Sequence, residues 1–189
     1  MLLRSLLHFS FFAVIIGFTF FSGTSATAQT VSAADLGASN VDIYKTSKQL
    51  VYGFGISSTG GDATLTALTT QATGGTYAAT DIVNFELYYN DAGNDFRSAT
   101  LLATSGASSG AGEVINFGSF SQFIFGDGVD RYFYIAIHVA SGAASGNTFS
   151  IPFLTSANFT FTTAVTFTSS LGPSGDKTIQ PAITYTSVP

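Results

Sequence analysis

Residues Arg131 to Ala140 read RYFYIAIHVA, the longest run of strong strand formers in the chain. Phe133, Ile135, Ile137 and Val139 alternate with Tyr132, Tyr134, Ala136 and His138, the period-two pattern of a strand with one buried face. This stretch is expected to be a central strand of a sandwich. A Gly126-Asp127-Gly128 turn precedes it and a glycine-rich loop, Ser141 to Asn147, closes it.

Working outward, Ile82 to Tyr89 places Val83, Phe85, Leu87 and Tyr89 on one face and Asn84, Glu86 and Tyr88 on the other. Leu50 to Ile56, LVYGFGI, places Leu50, Tyr52, Phe54 and Ile56 together and the small Gly53 and Gly55 opposite. Interior glycines of that kind mark a bulge or a close backbone approach. Ala63 to Thr70, Thr100 to Thr104, and two short or one broken strand within Glu113 to Phe125 continue the series. Phe149, Ile151 and Phe153 surround Pro152, which argues for an edge or a bulge. A Thr/Phe stretch through Phe159, Phe161, Val165 and Phe167 and an extended Thr178 to Val188 complete it. Roughly eight to ten short strands with turn signals about every ten residues predict an all-β protein with a single antiparallel β-sandwich.

The composition limits what such a domain does. Of 189 residues 46% are hydrophobic and only 9% charged, against a usual charged share of roughly 25%. The surface must therefore be built from Ser, Thr, Asn and Gly, which suits a protein packed against neighbours, because little repulsion keeps copies apart. An aromatic share of 14% supplies a core and excludes disorder. The net charge of -5 and the lack of a basic run argue against a nucleic-acid partner. With no cysteine, disulfides, thiolate metal sites and thiol catalysis are excluded.

The first 28 residues read as an address. Arg4 opens a positive start, Leu6 to Phe21 is almost unbroken apolar sequence, and Ala26-Thr27-Ala28 offers an A-x-A site. This is the pattern of a secretory signal peptide cleaved between Ala28 and Gln29. The rival reading is a retained membrane anchor, since the run is near the lower length for a span. Cleavage would leave a secreted chain with no membrane segment. Residues 29–47 then form a polar arm, loose or awaiting a sheet edge to pair with. Residues 48–181 form the sandwich, and residues 182–189 extend its last strand.

The run GDATLTALTTQATGGTYAATDIVNFELYYN, then FGSFSQFI, then DRYFYIAIHVASGAASGNTFSIPFLTSANFTFT resembles the Thr/Gly-rich immunoglobulin-like units of secreted and cell-surface proteins of Bacteroidota-type bacteria. The resemblance spans about residues 48–181, implies an immunoglobulin-like sandwich, and carries no catalytic residues. In that family the units serve as extracellular building blocks or binding modules.

Several clusters carry alternative chemistries. Tyr88, Tyr132, Tyr134 and His138 all point away from the predicted core; exposed rings there would stack a sugar or meet another protein. Otherwise a second sheet, a loop or the N-terminal arm covers them. Asn90, Asp91, Asn94 and Asp95, with Gly93, have the oxygen donors calcium takes, and are equally the residues turns are made of. Asp127 and Asp130 read as turn caps in the same way. Glu86 and Glu113 are the only glutamates, and nothing in their spacing makes them a glycosidase pair. His138 lacks a Ser or Asp partner in a recognisable motif. Asn158-Phe159-Thr160 fits a glycosylation sequon, and Lys48 and Lys177 lie near strand ends where isopeptide crosslinks form in some adhesins. The expected function is a secreted, non-enzymatic structural subunit that assembles with copies of itself, with a glycan-binding or protein-binding adhesin as the alternative. No cofactor is expected beyond the calcium option.

Overall fold

The computed structural model describes residues 29–37, 40–72 and 74–183. The expected signal peptide and Ala28 lie outside these, as do residues 184–189 of the C-terminal extension. Among the described residues fourteen strands run β1 (Thr30–Asp35), β2 (Val41–Tyr44), β3 (Lys48–Thr59), β4 (Ala63–Gln71), β5 (Gly74–Gly75), β6 (Ile82–Asn90) and β7 (Thr100–Thr104). They continue as β8 (Val114–Phe117), β9 (Gln122–Ile124), β10 (Arg131–Val139), β11 (Thr148–Ser150), β12 (Phe159–Phe161), β13 (Thr166–Phe167) and β14 (Lys177–Gln180). The only helical pieces among the described residues are 3-10 turns at Phe96–Ser98 and Ser156–Asn158. The protein is all-β, as its alternation and turn spacing predict. The strand number exceeds expectation because short pieces such as Gly74–Gly75 are made by cross-strand hydrogen bonds and carry no alternation of their own.

A six-stranded sheet in the order β13-β1-β3-β10-β6-β7 forms one layer, with β10 inside it. Opposite lie two smaller sheets, β2-β14-β11-β5 and β12-β4-β8, with β9 also paired to β4. Rings join the layers: Phe54, stacked on its sheet neighbour Phe133 at 5.6 Å, meets Phe159 of the facing layer edge-on at 5.8 Å. Phe85 and Tyr77 both pack on Phe149. Phe133, Ile135, Ile137 and Val139 are completely buried in this core, so the inward face of β10 is the one its sequence specifies.

Two bulges correct the neighbouring strands. Opposite β10, Ile135 pairs with Tyr52 and Ala136 with Leu50, so Val51 is an extra residue. An inserted residue flips everything beyond it to the other face. Leu50, expected inside, is 39% exposed, and Val51 is buried instead. Likewise His138 pairs with Asn84 and Val139 with Ile82. Val83, also expected inside, is 48% exposed, and Ile82 takes its place in the core.

Residues 29–47 are not a loose arm. β1 pairs antiparallel with β3 over six residues and parallel with β13 over two, while β2 pairs parallel with β14. Val31 and Ile43 are both fully buried, so the sandwich begins before residue 48. A backbone with unpaired donors and acceptors finds the edge of β3 regardless of weak side-chain alternation.

The ends of β6 and β10 are fastened by Asp81, which is 1% exposed. Its carboxylate accepts from the Ala78 and Ala144 N–H groups and from Asn147 Nδ2, each at 2.7 Å. Burial alone pushes this carboxyl up, but these hydrogen bonds, with Lys45 nearby, outweigh it and hold it below the usual Asp range.

Candidate functional site

The outward face of β10 gathers nearly every residue singled out for binding. Tyr132 and Tyr134 stand opposite Gly55 and Gly53 of β3 on one side and Asn90 and Tyr88 of β6 on the other. Gly53 makes room for the Tyr134 ring: a Cβ there would lie 3.3 Å from it and 3.2 Å from Leu36, whereas one on Gly55 would meet the Asp130 side chain. This is the close backbone approach that interior strand glycines signal.

The rings are covered. Phe96, on the 3-10 turn between β6 and β7, meets Tyr88 edge-on at 5.2 Å and Tyr134 at 5.6 Å. Leu36, just beyond β1, packs from the other side. Tyr134 is 1% exposed and Tyr88 9%, so for these two the alternative of cover by a loop and the N-terminal arm holds and open faces do not; Tyr132 and His138 are half-buried. Stacking a sugar needs an open ring face, and neither Tyr88 nor Tyr134 offers one. Burial raises the Tyr134 hydroxyl above the ordinary tyrosine range, with Asp95 and Tyr132 adding to it.

The proposed calcium turn is part of this cover. Asn90 is buried and donates through Nδ2 to the Asp95 carbonyl and Ser98 Oγ, while its Oδ1 accepts from the Ala92 N–H. Asn94 Oδ1 accepts from the Tyr134 hydroxyl at 3.0 Å. Asp95 accepts from the Arg97 N–H and from Ser98 Oγ. Asp91 is exposed. The Asn90 and Asp95 oxygens face donors of their own loop and the Asn94 oxygen faces Tyr134 of β10, and no group of three His, Asp or Glu side chains able to hold a metal forms among the described residues. The turn reading accounts for the cluster.

Toward the other end of the face a polar group crosses three strands. Lys48 Nζ lies 2.7 Å from Glu86 Oε2 and donates to the Tyr88 hydroxyl at 2.6 Å, and that hydroxyl donates to Glu86 at 2.5 Å. His138 sits between Lys48 and Asn84 in register. Burial pushes the Glu86 carboxyl up, but the hydrogen bonds from Lys48 and Tyr88 win and hold it below the usual range. The Glu86 and Tyr88 hydrogen bonds raise Lys48. A closed triangle of this kind braces β3 against β6, and its charges neutralise each other.

The remaining candidates have structural partners. Asp127 caps the Val129 N–H and pairs with Arg131 at 2.8 Å, and the Asp130 side chain packs beside Gly55. Glu113 accepts from the Tyr77 and Ser108 hydroxyls and the Ser109 N–H. Asn158 donates to the Thr69 carbonyl at 2.7 Å and accepts from the Thr155 N–H, so its amide is in use. Lys177 is buried and donates to the Ser174 carbonyl. Gln29 is held by its backbone carbonyl, which accepts from the Thr166 N–H, and by its side chain, which reaches the Asp62 carbonyl and Thr163.

A cleft of about 200 Å³ lies between Leu36 and Asn94, floored by Gly53, Leu50 and Tyr134. It is smaller than the ~300–1,000 Å³ of usual ligand pockets. Leu36 and Phe96, the two covering side chains, are the residues sequence reasoning missed. A lone Phe inside a polar turn was the signal for the second. No protein-family model matches the chain, and no curated protein matches it.

Proposed function

We propose that this chain is a secreted, non-enzymatic structural subunit whose copies join into an extracellular filament or surface layer, built on an immunoglobulin-like unit of the kind found in Bacteroidota-type surface proteins. The observation that carries this reading is the state of β1. It lies between β3 and β13 in the main sheet, yet Val31 is its only fully buried side chain. Burying one Val is worth about 1.5–3 kcal/mol, a weak hold for a six-residue strand. A strand held mainly by backbone hydrogen bonds is one that another chain's backbone can replace.

The surface supports association. Leu101 on the edge strand β7 and Val114 on the edge strand β8 are 47% and 64% exposed, and Phe153 is 65% exposed. Few charges surround them to keep copies apart.

Electron microscopy of the purified chain at high concentration tests the reading, alongside a variant lacking residues 29–35. Removing all of 29–47 would also take Ile43 from the core, so the shorter deletion is the cleaner one. Filaments or sheets from the full chain, and none from a deletion variant with β-sheet circular dichroism intact, are expected. Monodisperse monomers at every concentration would overturn the proposal.

A further inference from the structure

Resting on that reading, we infer that association proceeds by exchange of β1 alone: the slot between β3 and β13, filled in each chain by its own β1, takes β1 of a second copy in the same register. The partner is another copy of this chain. Every contact of β1 is with residues the partner also has, so the fit is already built and no new interface has to form. This is the low-cost route by which identical elements link protomers, and an exchange that does not close yields a fibre.

Three features single out β1. Its hold is local: six register pairs to β3, two to β13, the Ser32 Oγ to Ser57 Oγ contact at 2.9 Å, and the Gln29 contacts. The chain leaves it through Leu36 and Gly37, and Gly37 has φ +102° with open space around it. Beyond this, β2 belongs to a different sheet, where Ile43 is fully buried. β1 can therefore leave while β2 stays anchored. Its departure exposes the long edge of β3, the kind of unpaired edge that recruits a strand.

The chain has no cysteine, so engineered thiols report without background. Ser32 and Ser57 are register partners, and opposite residues of antiparallel strands have the Cα separation a disulfide needs. Full-length S32C and S57C single variants are mixed, assembled under reducing conditions at high concentration, imaged, then oxidised and run on a non-reducing gel. Exchange predicts covalent dimers, each joining one S32C chain to one S57C chain through a single disulfide, from the mixture and none from either variant alone. The S32C/S57C double variant gives a second reading: internally closed monomer when dilute, a covalent ladder when assembled. Assemblies whose cysteines close only within single chains overturn the exchange and leave self-association standing, with addition to an open edge such as β7 as the route. Absence of assemblies in the microscope overturns both.

Discussion

The two faces of β10 are built from alternate residues of one strand, yet they differ in how they are buried. The inward side chains, Phe133, Ile135, Ile137 and Val139, enter a core shared by all three sheets. The outward ones, Tyr132, Tyr134, Ala136 and His138, lie under a single 3-10 turn and one leucine at one end and beside an ion pair at the other. Burial alone does not separate them, since Tyr134 and Ala136 are as enclosed as the inward residues. Depth of support does. An inward residue is enclosed by whole sheets, an outward one by a few side chains of a local segment, so the faces should differ in the cost of perturbation and in what unfolds.

The largest effect is expected from Ile135→Ala. Truncating a fully buried Ile costs about 2–5 kcal/mol, against a total stability of ~5–15 kcal/mol for a typical domain. Urea unfolding should show this loss in one cooperative transition. A loss below ~1 kcal/mol would mean the inward core is loosely packed.

Next is Asp81→Ala, at the strand ends common to both faces. It strands the Ala78 and Ala144 N–H groups and the Asn147 amide, at a cost of about 2–3 kcal/mol. The native carboxyl lies below its unfolded value of about 3.9. Its contribution is therefore complete above that pH and is lost as pH falls through the folded value. Stability measured from pH 6 down to 2 should fall less steeply in the variant than in the native chain. Equal slopes would remove Asp81 as the fastener.

Phe96→Ala addresses the outward face alone. Phe96 is half-buried, so the loss should be about half of the ~3–5 kcal/mol for a fully buried Phe. Tyr88 and Tyr134 should become open to acetylation while the inward core stays folded. Loss of the whole fold at the cost of Ile135→Ala would erase the distinction between the faces.

How much of this was legible in the sequence follows the same division. Period-two alternation found the inward face of β10, because that depends on residues within one strand, and the turn at residues 90–95 placed the short strand β7 that follows it. The bulges at Val51 and Val83 were not legible, since an extra residue is fixed by the partner's register, and each moved one expected core residue to the surface. Cover over Tyr134 by a loop or the N-terminal arm was legible only as an alternative, and the side chains that form it were not legible. Phe96 lies 38 positions upstream in a polar turn, and only the pairing of β6 with β10 brings it there. Residues 29–47 lack strong alternation, yet they form two strands because the edges of β3 and β14 supply hydrogen bonds that any backbone can take.

The smallest effect, and the sharpest limit on the outward face, belongs to Glu86→Gln. The glutamine keeps an oxygen for the Tyr88 hydroxyl and removes only the charge facing Lys48, whose side chain is 46% exposed. Water screens such a pair, so the loss should be ~0.2–1 kcal/mol and shrink further with added salt. The native pair acts within a pH window. Glu86 is depressed, so its share is complete above about pH 4.3 and is lost as pH falls through the folded value. Lys48 is raised, so its share is complete below about pH 10.4 and is lost as pH rises through the folded value. Thermal melts of both chains across that window, at low and high salt, measure the difference. A salt-insensitive loss of 3 kcal/mol or more would be the signature of a charge left unpaired in a dry interior, and the outward face would then have to be as deeply enclosed as the inward one.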